Sequence, residues 1–240
     1  MRFDERVVVV TGVGRTGQVG EAVARSFAEH GARLALVARA EGLARDRAAD
    51  LAGGGAQVSA FAADLADASA AHALGARITA AMGPRIHALV NLAGGFEMSG
   101  PVADSDPVVW NRMLEINLLT AVNTTRALLP ALRAGQGAIV YVASEAVLPG
   151  SRSAGMSAYA AAKSAIVALM RSVAVEERPH GVRANALAPG SIRTADNVSA
   201  MGERAGFVER AVVADAVLWL CADASRGVSG EILRLGAGPV

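Results

Sequence analysis

Short apolar runs alternate along the chain with longer segments in which apolar and polar positions follow the period of an α-helix. The runs predict seven strands, at Arg6–Val10, Arg33–Ala38, Gln57–Ala62, His87–Leu92, Ala138–Ala143, Val182–Ala188 and Glu231–Leu235. The longer segments predict helices near residues 18–30, 40–52, 66–82, 107–134, 157–178 and 209–222. Strands without a polar face, each followed by a helix, are typical of a parallel sheet covered by helices on both sides. The pattern therefore predicts a doubly wound α/β fold.

No linker divides this pattern. The Gly53–Gly55 run lies between a predicted helix and the next strand, and no repeat of solenoid length occurs. A chain of 240 residues, 52% of them hydrophobic, is long enough to bury a core of its own. We therefore expect residues 1–240 to form a single domain.

Charge and cysteine content narrow the partners and the compartment. The formal net charge of +1 gives no electrostatic reason to expect a nucleic acid or an anionic membrane as partner. The single cysteine, Cys221, excludes an internal disulfide and a cysteine-based zinc site, and no metal site is predicted. No signal peptide precedes the first strand, and no uninterrupted apolar run has the length of a membrane span. We expect a cytoplasmic protein.

A glycine-rich turn follows the first strand. It contains four glycines, Gly12, Gly14, Gly17 and Gly20. Glycines at such a turn let the backbone approach a pyrophosphate at the N-terminus of the next helix, which predicts a dinucleotide-binding, Rossmann-type sheet. Two registers are possible. Gly12, Gly14 and Gly17 spell G-x-G-x-x-G, whereas Thr11 with Gly12, Gly17 and Gly20 spells a lengthened form of T-G-x-x-x-G-x-G. The eleven residues from Gly20 to Gly31 make about three helical turns, which favours Gly20 as the last glycine of the motif.

The residue at the end of the second strand should meet the adenosine ribose of such a dinucleotide. An acidic side chain there would accept hydrogen bonds from a free 2′-hydroxyl and repel a 2′-phosphate. This chain has Ala38 followed by Arg39, and Arg15 in the glycine-rich turn would add a second positive charge. The sequence therefore favours NADP(H) over NAD(H).

The only lysine of the chain, Lys163, lies four residues after Tyr159, while 22 arginines supply the other basic side chains. Residues at this spacing share one face of a helix. A cation about 5 Å from the phenol would lower its pKa by about two units at an effective dielectric of about 20. That shift would bring Tyr159 into range for proton exchange with an alcohol or ketone oxygen.

Together with further motifs in the same order, this pair resembles the short-chain dehydrogenase/reductase family over nearly the whole chain. The motifs are Asp64, Asn91-Leu92-Ala93-Gly94, Asn117, Ser144, and Pro189-Gly190 through Thr194. Leu92 replaces the second asparagine of the family's N-N-A-G motif. The glycine-rich turn is about two residues longer than the family's T-G-x-x-x-G-x-G motif. The chain is identified as a somewhat divergent, single-domain member of the branch similar to 3-oxoacyl-acyl-carrier-protein reductases.

The resemblance implies a role for each of these residues. Tyr159 would exchange the substrate proton, and Ser144 would hydrogen-bond the carbonyl oxygen. Lys163 would bind the nicotinamide ribose and lower the pKa of the tyrosine, and Asn117 would anchor a water on the proton path. The implied cofactor-binding residues are Gly12, Gly14, Arg15, Gly17, Val19, Gly20, Arg39, Asp64, Leu65, Asn91, Ala93, Gly94, Tyr159, Lys163, Pro189, Gly190, Ile192 and Thr194.

Some features stay open at this stage. The loop between Ser144 and Tyr159 is slightly long for the family, which leaves Ser151 and Ser153 as alternatives. A short substrate loop at about residues 190–208 indicates an open or shallow site for a ketone or 3-oxoacyl-type substrate. Relatives with similar Ala- and Leu-rich helices form homodimers or homotetramers. The alternative to an enzyme is a non-catalytic dinucleotide-binding regulatory or scaffolding protein, although such a protein would not need all four catalytic residue types.

Overall fold

A computed structural model describes residues 1–203 and 206–236 of the chain. Its strands are β1 Val7–Thr11, β2 Arg33–Ala38, β3 Val58–Ala62, β4 Ala88–Asn91, β5 Ala138–Val142, β6 Arg183–Pro189 and β7 Ile232–Leu235. Its α-helices are α1 Val19–Glu29, α2 Glu41–Ala52, α3 Ala68–Met82, α4 Pro107–Leu114, α5 Thr120–Gly135, α6 Ser157–Glu176, α7 Ala195–Met201 and α8 Arg210–Cys221. Short 3₁₀ turns lie at Val102–Asp104, Glu145–Val147, Arg178–His180 and Asp223–Ser225.

The seven strands form one parallel sheet in the order β3-β2-β1-β4-β5-β6-β7. Both faces of the sheet are covered, as the uniformly apolar strands predict. One core cluster, with Leu74 and Met170, lies between the sheet and helices α3, α5 and α6. The other, with Phe27 and Val217, lies between the sheet and helices α1 and α8. The predicted doubly wound, seven-stranded Rossmann-type fold is confirmed.

The segment predicted as one helix over residues 107–134 is interrupted. Helix α4 ends at Leu114, a π-helical turn spans Glu115–Leu119, and α5 continues the same direction to Gly135. A π turn inserts one residue into the helical repeat, and such turns are frequent at functional sites. A period count over the whole segment cannot detect a single inserted residue.

The predicted substrate loop at residues 190–208 contains a helix that the sequence reading did not include. Thr194 caps α7 by accepting the Asn197 amide at 3.1 Å. Residues 204 and 205 of that loop, and residues 237–240 of the predicted domain, lie outside the described part of the chain.

The strand order reverses between β1 and β4. The chain leaves β1 toward β2 and β3 on one side and leaves β4 toward β5, β6 and β7 on the other. In open α/β sheets, ligands bind in the crevice that this reversal leaves outside the carboxyl ends of the strands. Many of the candidate residues named above follow strands at that edge, whereas Asn117 lies in the π turn and Tyr159 and Lys163 lie on α6.

Candidate active site

The glycine-rich turn packs against the segment that follows β4. Gly12 has a φ of +73°, and a Cβ on it would lie 2.7 Å from the Ala93 amide nitrogen. A Cβ on Gly20, in the first turn of α1, would lie 2.6 Å from the Gly12 carbonyl oxygen. Only glycine fits at both positions. In this structure Gly20 packs α1 against the turn, as in the register that the sequence favours.

The N-terminus of α1 has backbone amides without a protein partner. No side chain caps the helix at Gln18, and the Val19 and Gly20 amides make no hydrogen bond within the part of the chain that the structure describes. The Gly17 amide, by contrast, donates to Glu21 Oε2 at 2.6 Å. Unbonded amides at the positive end of a helix dipole suit a pyrophosphate. The turn therefore fits a dinucleotide, with the Val19 and Gly20 amides as the available donors.

The end of β2 offers one uncompensated cation. Ala38 is buried there, and the exposed Arg39 makes no hydrogen bond or ion pair with another described residue. Arg15 was predicted to add a second positive charge, but its guanidinium binds the Asp196 carboxylate, with contacts of 2.6 and 3.1 Å. The charge of Arg15 is thus compensated by α7. Gly14 lies beside it, with space for a Cβ 3.4 Å from a side chain of α2.

The loop after β3 is anchored to α5. Asp64 is exposed, and its carboxylate accepts the Ala66 amide at 2.9 Å. Leu65 is buried, and Asn123 of α5 donates to the Leu65 and Ala66 carbonyl oxygens at 3.0 Å each. Asn123 thereby fixes the position of the loop that carries Asp64.

Thr11 ties β1 to the segment that follows β4. Its hydroxyl oxygen accepts the Leu92 and Ala93 amides, both at 3.1 Å. Asn91 is buried, and its Nδ2 donates to Thr125 Oγ1 at 3.4 Å, whereas its Oδ1 has no partner. Leu92, which stands where the family has asparagine, packs against the core cluster on the α1 side. The replacement therefore adds apolar contact.

The π turn brings Asn117 toward Lys163. Asn117 is buried, its Nδ2 donates to the Gly95 carbonyl oxygen at 3.0 Å, and its Oδ1 accepts the Gly95 amide at 3.2 Å. A Cβ on Gly94 would lie 2.6 Å from Asn117 Oδ1 and 3.7 Å from Lys163 Nζ. Gly94 is therefore enclosed between the two side chains, and its lack of a side chain lets them approach each other.

Ser144, Tyr159 and Lys163 meet at the carboxyl end of β5. Lys163 is buried, its Nζ lies 5.8 Å from the centroid of the Tyr159 ring, and it donates to the Val142 carbonyl oxygen at 2.8 Å. Ser144 Oγ accepts the Ala146 amide at 3.2 Å, and its hydrogen bond with Tyr159 acts to lower the pKa of the phenol. The alternative Ser151 donates its hydroxyl to the Leu148 carbonyl oxygen at 2.7 Å.

The pKa of Tyr159 departs from the sequence-based prediction. Burial raises the pKa of the phenol, and the hydrogen bond with Ser144 opposes only part of that rise. Burial also lowers the pKa of Lys163 to about 8. The prediction that Lys163 brings the phenol pKa down by about two units counted the attraction between the two groups. It omitted the cost of removing both from water, which dominates here.

The segment after β6 reaches both β7 and the glycine-rich turn. The Gly190 amide donates to the Leu235 carbonyl oxygen at 2.9 Å. Beyond Thr194, the Ala195 amide donates to the Gly17 carbonyl oxygen at 3.0 Å. The start of α7 is therefore bonded to the turn that precedes α1.

Ile192 sits at the base of this segment, where it forms an isolated bridge with Val208. The neighbouring Arg193 binds Glu209 at 2.7 Å and also pairs with Glu203. Cations along this segment are thus compensated by carboxylates.

Comparison with known proteins identifies the family of this chain. Residues 6–204 match the family described as short chain dehydrogenase. The chain belongs to the short-chain dehydrogenase/reductase family. The cis-4-hydroxycyclohexanecarboxylate dehydrogenase of Sinomonas cyclohexanicum is 36% identical, over 98% of this chain and 97% of its own length. The galactitol 2-dehydrogenase (L-tagatose-forming) of Cereibacter sphaeroides is 34% identical, over 99% of this chain and 96% of its own.

Solved structures agree with that assignment. A short-chain type dehydrogenase/reductase from Mycobacterium ulcerans superimposes with a TM-score of 0.89 at 28% identity, over 98% of this chain and 89% of that one. This short-chain dehydrogenase/reductase is therefore an oxidoreductase that acts on alcohols or ketones with a nicotinamide cofactor.

Three residues at the site were missed by the sequence reading. Glu145 follows Ser144 directly, pairs with Arg234 of β7, and has its Oε2 2.9 Å from where a Cβ on Gly190 would lie. Phe96 is 57% exposed and contacts the Tyr159 ring edge-on, with 5.0 Å between centroids. Asp196 binds Arg15. Adjacency to Ser144 was a signal for Glu145, whereas the other two contacts join distant parts of the chain.

Two further findings concern metal ions and membranes. Within residues 1–203 and 206–236, no group of three or more His, Cys, Asp or Glu side chains is placed to hold a metal ion. Helix α6 is long and apolar enough, by length and composition alone, to cross a membrane. In this fold α6 carries Tyr159 and Lys163, and its inner face packs in the core cluster with α3 and α5.

Proposed function

We propose that this short-chain dehydrogenase/reductase transfers hydride between NADP(H) and a ketone or secondary alcohol, with Tyr159 as general acid and base. The observation that carries the proposal is the convergence of Ser144, Tyr159, Lys163 and Asn117 at one edge of the sheet, beside an open helix N-terminus. A dinucleotide-binding scaffold would have no need of this set. Relatives named as dehydrogenases of a hydroxycyclohexanecarboxylate and of galactitol support an alcohol or ketone substrate.

The preference for NADP(H) rests on Arg39. Its guanidinium is exposed, has no carboxylate partner among the described residues, and follows a strand end that lacks an acidic side chain. A guanidinium can bind a phosphate through two parallel hydrogen bonds. When bound, the nicotinamide supplies or accepts the hydride.

The proton is assigned to the Tyr159 phenol. Because burial raises its pKa, the phenol is protonated at neutral pH and is ready to donate to a carbonyl oxygen, which favours the direction of reduction. Ser144 would hydrogen-bond the same oxygen and hold it in line with the phenol. As carbon gains a hydride, the oxygen gains the phenol proton, and the alcohol leaves a phenolate to be reprotonated.

Lys163 and Asn117 support that proton transfer. With a pKa of about 8, Lys163 is an ammonium at neutral pH and would stabilise the phenolate while it binds the nicotinamide ribose. The side-chain amide of Asn117 is occupied by Gly95 and by the Met113 carbonyl oxygen at 3.1 Å. Asn117 would therefore act by fixing the π turn, with water held by the backbone there.

The substrate would meet an exposed apolar surface. Phe96 and Met98 are 57% and 55% exposed, and the Phe96 ring contacts the Tyr159 ring. These side chains would contact the non-reacting part of a ketone or 3-oxoacyl-type substrate.

We also infer a homodimer or homotetramer in the cytoplasm. Val108 of α4 and Leu119 of the π turn expose large apolar side chains, which a second copy would cover. The single cysteine is consistent with a reducing compartment. Light scattering would measure the mass, and a monomer at micromolar concentration would overturn this inference.

The test is a calorimetric titration with NADPH and with NADH, followed by assays of ketone reduction at the nicotinamide absorbance. We expect NADPH to bind at least about tenfold more tightly than NADH, as expected for one or two charged hydrogen bonds to the phosphate. Arg39→Ala should remove most of that difference. Binding of neither cofactor, or equal binding of both by the parent protein, would contradict the proposal.

A further inference from the structure

A large cleft lies at the opposite, amino-terminal edge of the sheet. It has a volume of about 1120 Å³ and is lined at the starts of the strands by Arg6, His87, Ala138 and Arg183. Its other wall includes the end of α6 and the loop between α8 and β7. Strand β6 runs from Arg183 in this cleft to Pro189 at the active site, a separation of roughly 20 Å at the rise of a β-strand.

The cleft concentrates positive charge. Five arginines line it, Arg6, Arg171, Arg178, Arg183 and Arg226, and the only carboxylate in the described lining is Asp223. Five positive charges against one negative charge leave four uncompensated. The chain as a whole has 23 basic and 22 acidic side chains. The imbalance is therefore a property of this cleft.

Hydrogen bonding within the cleft does not remove the imbalance. Asp223 binds Arg6 through two contacts of 2.9 and 2.6 Å. Arg183 is half-buried, and its guanidinium donates only to backbone carbonyl oxygens, those of Val228 at 3.2 Å and Ala222 at 3.3 Å. A partly buried cation without a bound carboxylate is costly unless a counter-ion joins it.

The remaining donors are free to take such an anion. The guanidinium groups of Arg171, Arg178 and Arg226 make no hydrogen bond or ion pair with any other residue in the ranges 1–203 and 206–236. His87 Nδ1 accepts the Val7 amide at 3.0 Å, so its proton is on Nε2 and available as a donor. Glu177, which directly follows α6, is bound by Arg133 through two contacts of 2.7 Å and does not neutralise the cleft.

We infer that this cleft binds a small, multiply phosphorylated anion at a site separate from the cofactor. Several guanidinium groups around one cavity can each bind phosphate oxygens through two hydrogen bonds, and the volume exceeds that of a single phosphate. No Phe, Tyr or Trp ring lines the cleft within the described residues, so the large aromatic surface on which the bases of single-stranded nucleic acids stack is missing there.

Calorimetric titration with inorganic tripolyphosphate tests the inference. The protein is titrated alone and after saturation with NADPH, because tripolyphosphate also resembles the pyrophosphate of the cofactor. We expect a binding event that persists with the cofactor present and weakens about tenfold in Arg178→Ala and in Arg226→Ala, the effect of losing one charge-assisted bond. Arg126→Ala is the matched control, because this exposed arginine of α5 lies outside the cleft and its loss changes the net charge equally.

Two results would overturn the site. Binding that disappears on saturation with NADPH would place tripolyphosphate in the cofactor crevice. Equal weakening in Arg178→Ala, Arg226→Ala and Arg126→Ala would show attraction to overall charge. Circular dichroism of each variant checks that it is folded, and light scattering with and without tripolyphosphate shows whether the assembly changes.

Discussion

The two edges of the sheet differ in how many of their arginines are paired with carboxylates. At the carboxyl edge, Arg15 is bound by Asp196, Arg193 by Glu209 and Arg234 by Glu145. At the amino edge, a single aspartate faces five arginines. Both edges have the same parallel strands and comparable loops, so the contrast comes from side chains that are far apart in sequence.

The contrast has a physical reason at the catalytic edge. A proton donor works near its own pKa, and an unbalanced charge nearby would shift that pKa by several units in a buried site. Arg15, Arg193 and Arg234 are paired, whereas the exposed Arg39 at the end of β2 is not. The cation beside the Tyr159 ring is the buried Lys163. No proton transfer is proposed at the amino edge, and uncompensated cations there attract anions.

The largest expected effect is on turnover at the carboxyl edge, with no effect on anion binding at the amino edge. Tyr159→Phe should lower kcat about 10³-fold, because general acid catalysis contributes about 10² to 10⁴, while tripolyphosphate binding stays unchanged. Steady-state kinetics and calorimetry measure the two quantities. The matched control is Tyr141→Phe, which removes the buried hydroxyl that contacts Thr125 at 2.9 Å and should cost about 1 kcal/mol of stability without loss of turnover. A Tyr159→Phe variant that retains most of its rate would remove Tyr159 from the mechanism.

The second effect acts next to the amino edge. Arg133→Ala leaves the buried Glu177 carboxylate without its partner and should lower the free energy of unfolding by about 2 kcal/mol, less than for a fully buried pair because Arg133 is half exposed. Urea denaturation measures it. Arg45→Ala, which breaks the exposed pair with Glu41, is the control and should cost less than about 1 kcal/mol.

The stability lost in Arg133→Ala should depend on pH in a predictable direction. Arg133 lowers the pKa of Glu177 below its ordinary 4.5, so the contribution is complete above that value. It disappears as the pH falls through the lower pKa of the folded state. The difference between the parent and Arg133→Ala should therefore shrink in acid, and a difference that grows there would contradict the assignment.

A smaller effect concerns pH at the catalytic edge. With a pKa of about 8, Lys163 loses its charge above that pH, and kcat/KM for ketone reduction should then fall by up to about tenfold per pH unit. Lys163→Arg keeps the charge and should flatten this decline, even if its lower overall rate reflects a poorer fit. A decline at the same pH in both proteins would assign the titration to another group.

The smallest effect would refine the contrast within the cofactor crevice. Arg15→Ala breaks an exposed pair and should change the stability by less than about 1 kcal/mol. If the guanidinium of Arg15 is held away from phosphate by Asp196, then Asp196→Asn should tighten NADPH binding relative to NADH. Calorimetry compares the variants, and weaker NADPH binding in Asp196→Asn would show that the pair itself supports the cofactor.

Much of the site could be predicted because its residues lie in local motifs. The spacing of Tyr159 and Lys163 on one helix depends only on the helical repeat, and Gly20 could be chosen over Gly17 from the length of α1. Asn117, Ser144 and the Pro189–Thr194 segment were predicted through the resemblance to the family, not from the apolar period. The roles proposed for them remain predictions until the variants are measured.

The tertiary structure alone decided what depends on distance through space and on burial. Residues 15 and 196 are bonded only because α7 returns to the glycine-rich turn. Five arginines spread from residue 6 to residue 226 meet only because strand starts, the end of α6 and the segment between α8 and β7 share one edge of the sheet. The pKa of Tyr159 rises because desolvation depends on everything packed around the ring. Periodicity and spacing determine which elements form and which face of each is buried, since these are short-range properties of the backbone. Whether a charged side chain is paired depends on residues far away in sequence, so only the assembled tertiary structure determines it.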